Sequence, residues 1–305
     1  MDQKDLVSIR NLSAREMHEL FAEALDIKTH PARYADALKG KALAMIFEKP
    51  SLRTRVSFEV GIHQMGGFSL YLSPSEINLG KRESAFDVAK NLERMVQGIL
   101  MRTFSHELVE LMARQAGIPV INGLTDFSHP CQALADFLTI LEIKGGLKGL
   151  KVAYVGDGNN VAHSLIYGAA RLGVHLAVAT PAGYEPNANV VAWAREHAGE
   201  SGCRLEVSED PVKAVLEADV VYTDVWASMG QEQESAIRRQ IFQPYQVNEE
   251  LFSHAGPRAI FMHCLPAHRG EEVTDAVIDS PRSVVFHQAE NRLHVQKAVM
   301  LALMG

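Results

Sequence analysis

Short apolar runs that alternate with helical patterns constrain this chain more than any other feature. In the first half the runs are "ALAMIF" (42–47), "FSLYL" (68–72), "GILMRTF" (98–104) and "PVING" (119–123). In the second half they are "KVAYVG" (151–156), "HLAVAT" (175–180), "VVYTDVW" (220–226), "AIFMHCL" (259–265) and "SVVFH" (283–287). Several are apolar along their whole length, as strands covered by helices on both faces should be. Between them the helical period appears. In 54–65, Phe58, Ile62 and Met65 share one face, and Gly66-Gly67 closes the run. This alternation predicts parallel sheets in an α/β protein.

There are two such series. Between them lies "CQALADFLTILEIKGGLKGL", where Leu134, Phe137, Leu138 and Leu141 predict a helix ending at Gly145-Gly146. The junction is placed near 130–148, giving domains 1–140 and 141–289. The helical stretch from about 290 is expected to pack back on the first domain. The expected fold is thus two parallel-sheet α/β domains with the active site in the cleft between them, a favoured place for ligands. A chain of 305 residues, 47% hydrophobic, can fill two such cores.

Charge narrows the partners. A net charge of -7 argues against non-specific binding to nucleic acid or to an acidic membrane, so neither is expected as a partner. No apolar run approaches the ~18 residues of a membrane span. The N-terminal "MDQKDLVSIRNLSAREMHEL" lacks an apolar signal core. Three widely spaced cysteines, Cys131, Cys203 and Cys264, are no disulfide framework. A reducing, cytoplasmic location is predicted.

Any basic site must therefore be local, and "KPSLRTR" (49–55) is one. Pro50 ends the strand and Ser51 suits a helix N-cap. The following N–H groups have no intrahelical partner and carry the positive end of the helix dipole. Arg53 adds a forked donor pair that matches phosphate. On this stretch alone, an anion cradle and an ordinary capped helix with two solvated arginines are equally good readings.

Four further stretches put polar groups at strand ends or helix starts. "DFSHPCQALADF" (126–137) brings His129, Cys131 and Gln132 to the proposed junction, where histidine can polarise a carbonyl and glutamine can hold an amide. No paired-ligand spacing supports zinc there. "VGDGNNVAHS" (155–164) resembles a dinucleotide turn, but Val161 stands at the third glycine position and "HLAVATP" ends without the ribose-binding acid. A nicotinamide site is rejected, leaving a loop that offers Asn159 and Asn160. "TDVWASMGQE" (223–232) sets Asp224 at a strand's carboxyl end, where a carboxylate can hold an ammonium, with Ser228, Met229 and Gly230 beyond it. "FMHCLPAHRG" (261–270) places His263, Cys264 and Leu265 before Pro266, which stops the ladder and frees carbonyls. "HQAENRLHVQK" puts Arg292 at the start of the last helix. Each stretch has an ordinary structural reading. Together they assemble a phosphate cradle, carbonyl polarisers, amide holders and an ammonium holder.

"SLRTR", "HPCQ", "DVWASMG" and "HCLP", in this order, resemble the carbamoyltransferases over essentially the whole chain. The Asp-x-x-x-Ser-Met-Gly pattern points to the branch that acts on ornithine. The resemblance implies transfer of a carbamoyl group from carbamoyl phosphate to the δ-amine of L-ornithine, giving citrulline and phosphate in arginine biosynthesis. It implies no metal or organic cofactor, and a homotrimer or a multiple of trimers. Carried over, Ser51, Leu52, Arg53, Thr54, Arg102, His129 and Gln132 bind carbamoyl phosphate, and Arg292 completes that site. Asn160, Asp224, Ser228 and Met229 bind ornithine. Cys264 and Leu265 lie between the substrates and also contact carbamoyl phosphate. Asp224, Cys264, Arg102 and His129 are the catalytic candidates. The resemblance and Pro266 together predict a cis Leu265-Pro266 bond.

Two positions depart from the pattern. Leu52 replaces the first threonine of Ser-Thr-Arg-Thr-Arg, losing a hydroxyl but no backbone N–H. Asn78 stands where many relatives carry glutamine, in a loop expected to reach a neighbouring subunit. The rival activities are a sister carbamoyltransferase for putrescine, aspartate or an acylated ornithine, separated by the 224–230 loop, and a nonenzymatic anion-binding regulator. The regulator would need the cradle but not Asp224 and Cys264 together.

Overall fold

The computed structural model describes residues 1–77, 79, 82–228 and 230–305. Met229 and Asn78 therefore lie outside the described residues. The chain divides into two compact units, Met1–Ala135 with Glu290–Gly305, and Asp136–Ala289. The division falls inside the helix Pro130–Lys144.

The first unit carries β1 (Ala42–Phe47), β2 (Phe68–Leu72), β3 (Gly98–Arg102) and β4 (Val120–Leu124), ordered β2-β1-β3-β4. All three pairings are parallel. Every residue of β1, β3 and β4 is buried, which explains their unbroken apolar character. The edge strand β2 is more open. The helix Leu52–His63 runs from the end of β1 back to β2. It closes at Gly66, whose φ of +84° is accessible to glycine at no steric cost.

The second unit carries β5 (Lys151–Val155), β6 (His175–Ala179), β7 (Leu205–Ser208), β8 (Val220–Thr223) and β9 (Ile260–His263), ordered β7-β6-β5-β8-β9. These pairings are parallel too. In each sheet the strand order reverses next to the first strand, at β1/β3 and at β5/β8. Such switch points leave a crevice outside the carboxyl ends of the strands, where open α/β sheets bind ligands.

Two elements differ from expectation. "SVVFH" does not form a strand. Ser283 makes a single parallel bridge to Phe261, and the chain then enters the helix Val285–Met304. Phe286, which a buried strand would have covered, is 74% exposed. Arg292 consequently sits within that helix rather than at its start. The strand β7 escapes a reading of the sequence because it lies at the sheet edge and none of its residues is fully buried.

Candidate active site

Three adjacent strands of the first sheet deliver the basic residues. After β1, Ser51 caps the helix Leu52–His63, its Oγ accepting from the Thr54 N–H at 3.2 Å. Such a cap contributes about 1 kcal/mol, and a helix start of this kind favours an anion. Arg102 closes β3 and is 6% exposed. After β4 the chain turns through Ser128 to His129, whose carbonyl accepts from the Gln132 and Ala133 N–H groups as the next helix begins.

These side chains are buried and mutually supported. Arg292 donates from Nη1 to Gln132 Oε1 at 2.5 Å and from Nη2 to Thr54 Oγ1 at 3.1 Å. Arg102 Nη1 lies 3.4 Å from the same Thr54 hydroxyl. Arg292 is thus no surface arginine; its guanidinium ties the start of one helix to the start of another. Burial, and then the charges of Arg292, Arg102 and Arg53, push the His129 imidazole well below the usual histidine range. It is therefore neutral at pH 7 and offers a hydrogen bond rather than a charge. Burial pushes the Cys131 thiol up to about 12, so this cysteine behaves as a packing residue. Leu52 is 73% exposed.

The second sheet delivers acidic and amide groups from β5, β8 and β9. Asp224 follows β8 and is 5% exposed. Asn159 caps the helix Asn160–Leu172 with its Oδ1 and donates from Nδ2 to Asp224 Oδ2 at 2.8 Å. Cys264 Sγ lies 2.9 Å from Asp224 Oδ1. Asn160 is buried in the first helical turn. The Ser228 N–H donates to Gln231 Oε1 at 3.0 Å, which folds the loop beyond Asp224. Gly158, the glycine that makes this loop look like a dinucleotide turn, has a packing reason: a Cβ there would lie 2.2 Å from the Pro186 nitrogen.

The bond Leu265-Pro266 is cis, as expected from the sequence. Leu265 has φ +58°, a left-handed conformation that costs a non-glycine residue about 1–2 kcal/mol. Its N–H donates to His263 Nδ1 at 2.8 Å.

Several supporting residues are missed by sequence reasoning. Arg238 donates to the Trp226 carbonyl at 2.9 Å and lies 3.2 Å from Asp157 Oδ2, tying the loop after β8 to the loop after β5. Burial raises Asp157 to about 6, against the opposing pull of Arg238 and with the aid of Asp224. Asn159 stands out in the sequence only as one of a pair, yet it is the residue that holds Asp224. The doublet Asn159-Asn160 is the one available signal; nothing local in the sequence marks Arg238.

Comparison with known proteins matches both units to family models. Residues 4–142 match the "Aspartate/ornithine carbamoyltransferase, carbamoyl-P binding domain", and residues 148–303 match the "Aspartate/ornithine carbamoyltransferase, Asp/Orn binding domain". The chain is 58% identical to an ornithine carbamoyltransferase of Thermococcus kodakarensis, over 99% of this chain and 96% of that one. The structure of ornithine carbamoyltransferase from Pyrococcus furiosus superposes with a TM-score of 0.96 at 56% identity, covering 99% and 97% of the two chains. An acetylornithine transcarbamylase complexed with acetylcitrulline also superposes, with a TM-score of 0.90 at 33% identity, covering 99% and 100%. Fold alone therefore does not choose the acceptor.

Proposed function

The chain belongs to the aspartate/ornithine carbamoyltransferase family, and from that premise we propose how it moves the carbamoyl group of carbamoyl phosphate to the δ-amine of L-ornithine. The observation that carries the assignment of roles is the division of charge: buried arginines gather around Thr54 and His129, and a buried carboxylate is held by Asn159 and Cys264.

Carbamoyl phosphate is a dianion whose carbonyl lies between an NH2 and the phosphate leaving group. The first turn from Ser51 through Leu52 to Arg53 holds the phosphate, where negative charge grows as the C–O bond breaks. Arg102, Thr54 and the neutral His129 stabilise the oxyanion, a kind of contact worth about 3–4 kcal/mol per donor. Arg292 supports Thr54, one of these groups, and also grips Gln132. An amide oxygen has two lone pairs, so Gln132 can accept from Arg292 and still meet the carbamoyl NH2, which Leu265 also contacts through its carbonyl.

Ornithine must attack as the neutral δ-amine. Asp224 and Cys264 are assigned to binding and deprotonating it, with Asn160 and Asp224 at the α-ammonium; Ser228 and Met229 are assigned to ornithine binding by the family resemblance. The N–C bond forms, the C–O bond to phosphate breaks, and the amine's proton leaves through the Asp224–Cys264 pair. Much of the acceleration comes from holding the two reactants in line.

We further propose a cytoplasmic homotrimer or multiple of it. Among the described residues no helix is long and apolar enough to cross a membrane. Support for assembly comes from an apolar stripe: Leu52 at 73%, Val56 at 47% and Val60 at 37% exposure recur along one helix, and Phe68 at 51% and Leu70 at 44% lie on the neighbouring edge strand β2. Exposed apolar surface of this kind supports an interface. Leu52, the departure from the family pattern, enlarges it. Sedimentation should give a multiple of three chains, and an active monomer would refute the assembly. The activity is tested by incubating the purified protein with carbamoyl phosphate and L-ornithine. Citrulline and phosphate should appear in equal amounts; hydrolysis without citrulline would overturn the reading.

A further inference from the structure

The turn that carries Cys264 and Leu265 is held by a chain of hydrogen bonds that none of the assignments above uses. His263 ends β9 and is fully buried, as is Glu272. The Leu265 N–H donates to His263 Nδ1 at 2.8 Å, so that nitrogen presents a lone pair. The ring proton is then on Nε2, which lies 3.0 Å from Glu272 Oε1. The same carboxylate oxygen accepts from the His268 N–H at 2.6 Å, closing the loop that returns from Leu265. The backbone of His263 is anchored separately: its N–H donates to Gln288 Oε1 at 2.9 Å, and Gln288 Nε2 donates to Asp136 at 2.7 Å.

We propose that Glu272 and His263 are positioning residues: Glu272 holds the imidazole as the Nε2–H tautomer, and Nδ1 in turn holds the Leu265 N–H and the turn that presents Cys264. This rests on the reading that Cys264 and Leu265 serve carbamoyl transfer. The left-handed Leu265, with φ +58°, needs such a hold. Asp224, His263 and Cys264 offer ligand-type atoms within 4.8 Å of one another, a grouping that suggests a metal. The hydrogen bonds assign the imidazole a different task, because both ring nitrogens are already engaged.

Neutron diffraction from the deuterated protein tests the tautomer without reference to activity. Deuterium should appear on Nε2 of His263 and not on Nδ1; deuterium on Nδ1, or on both, overturns the proposal. Kinetics test the role. Glu272→Ala should lower kcat about 10²-fold, the loss expected when reacting groups are misplaced by about 1 Å. Its affinity for inorganic phosphate should stay within about twofold. Glu272→Gln keeps an oxygen for both N–H donors and should recover most of that kcat. If Glu272→Gln is as impaired as Glu272→Ala, the carboxylate acts through its charge and the positioning role is wrong. Should Glu272→Ala fail to fold, the neutron result and Glu272→Gln still decide. A protein that forms no citrulline but shows deuterium on Nε2 would refute the proposed reaction, not the tautomer.

Discussion

The two sheets solve the same topological problem with opposite chemistry. Both are parallel, both reverse strand order beside their first strand, and both gather polar groups where the strands end. At the ends of β1, β3 and β4 the groups are cationic or donors: Arg53, Arg102, His129 and a helix start. At the ends of β5, β8 and β9 they are acidic or amide, namely Asp157, Asn159 and Asp224, with the Cys264 thiol beside Asp224. One architecture therefore dictates where a ligand goes, and the residues at the strand ends dictate which charge it has. The contrast extends to protons. Arginines help burial to strip the proton from His129, while Asp224 helps burial to keep one on Asp157.

The largest effect should come from the acidic half. Asp224→Asn keeps the shape but removes the charge proposed to hold the amine, so kcat/KM for ornithine should fall about 10³-fold, within the usual reach of a lost acid-base group. Calorimetry should find phosphate bound within about twofold of wild type. An equal loss on both substrates would break the division. Next is the basic half. Arg102→Ala and Arg53→Ala should each lower turnover about 10²-fold and weaken carbamoyl phosphate binding, with circular dichroism unchanged. Unchanged kinetics in either variant would remove that arginine from the site.

Proton linkage sharpens the contrast further. His129 has a folded pKa below its unfolded one, so its contribution to stability is present above about pH 6.5 and lost on acidification. Asp157 is raised to about 6, so its contribution is present below about pH 4 and lost as the pH rises through 6. The second effect has a ceiling of about 3 kcal/mol for a shift of roughly two units. Melting temperatures from pH 7 to pH 4 should thus show His129→Asn gaining on wild type and Asp157→Asn losing to it. Parallel curves would contradict one or both shifts. The smallest effects belong to the helix start. Ser51→Ala should cost about 1 kcal/mol in denaturant unfolding, and Leu52→Thr, at an exposed position, less than about 0.5 kcal/mol.

How much of this is legible in the sequence depends on burial. "ALAMIF", "PVING" and "KVAYVG" announce strands because parallel strands buried on both faces keep one composition along their length. "SVVFH" carries the same composition but follows only a single bridge, and a five-residue run holds no period that separates a strand from the first turn of a helix. The site residues with special chemistry, Arg53, His129, Asp224 and Cys264, stand out because they sit at element ends. Their supports do not. Arg238 reaches Asp157 across 81 positions of sequence, and Arg292 reaches Thr54 across 238. Pairings of that kind are made by the tertiary fold and leave no local pattern. Glu272 lies only 9 positions from His263, which is marked by its place at a strand end, but the irregular turn between them has no helical or strand period that would pair the two.

The most direct test of the charge division is the acceptor panel. With saturating carbamoyl phosphate, kcat/KM is compared for L-ornithine, putrescine, L-lysine and L-aspartate. Ornithine should be preferred by at least about 10²-fold. Putrescine leaves polar groups of the acidic half unpaired, lysine misplaces its amine by one methylene, and aspartate brings a second carboxylate to Asp224. The ornithine rate should rise with pH as the bound amine loses its proton. Equal efficiency with putrescine or aspartate would contradict the account, because Asp224 and its neighbours would then not select the amine.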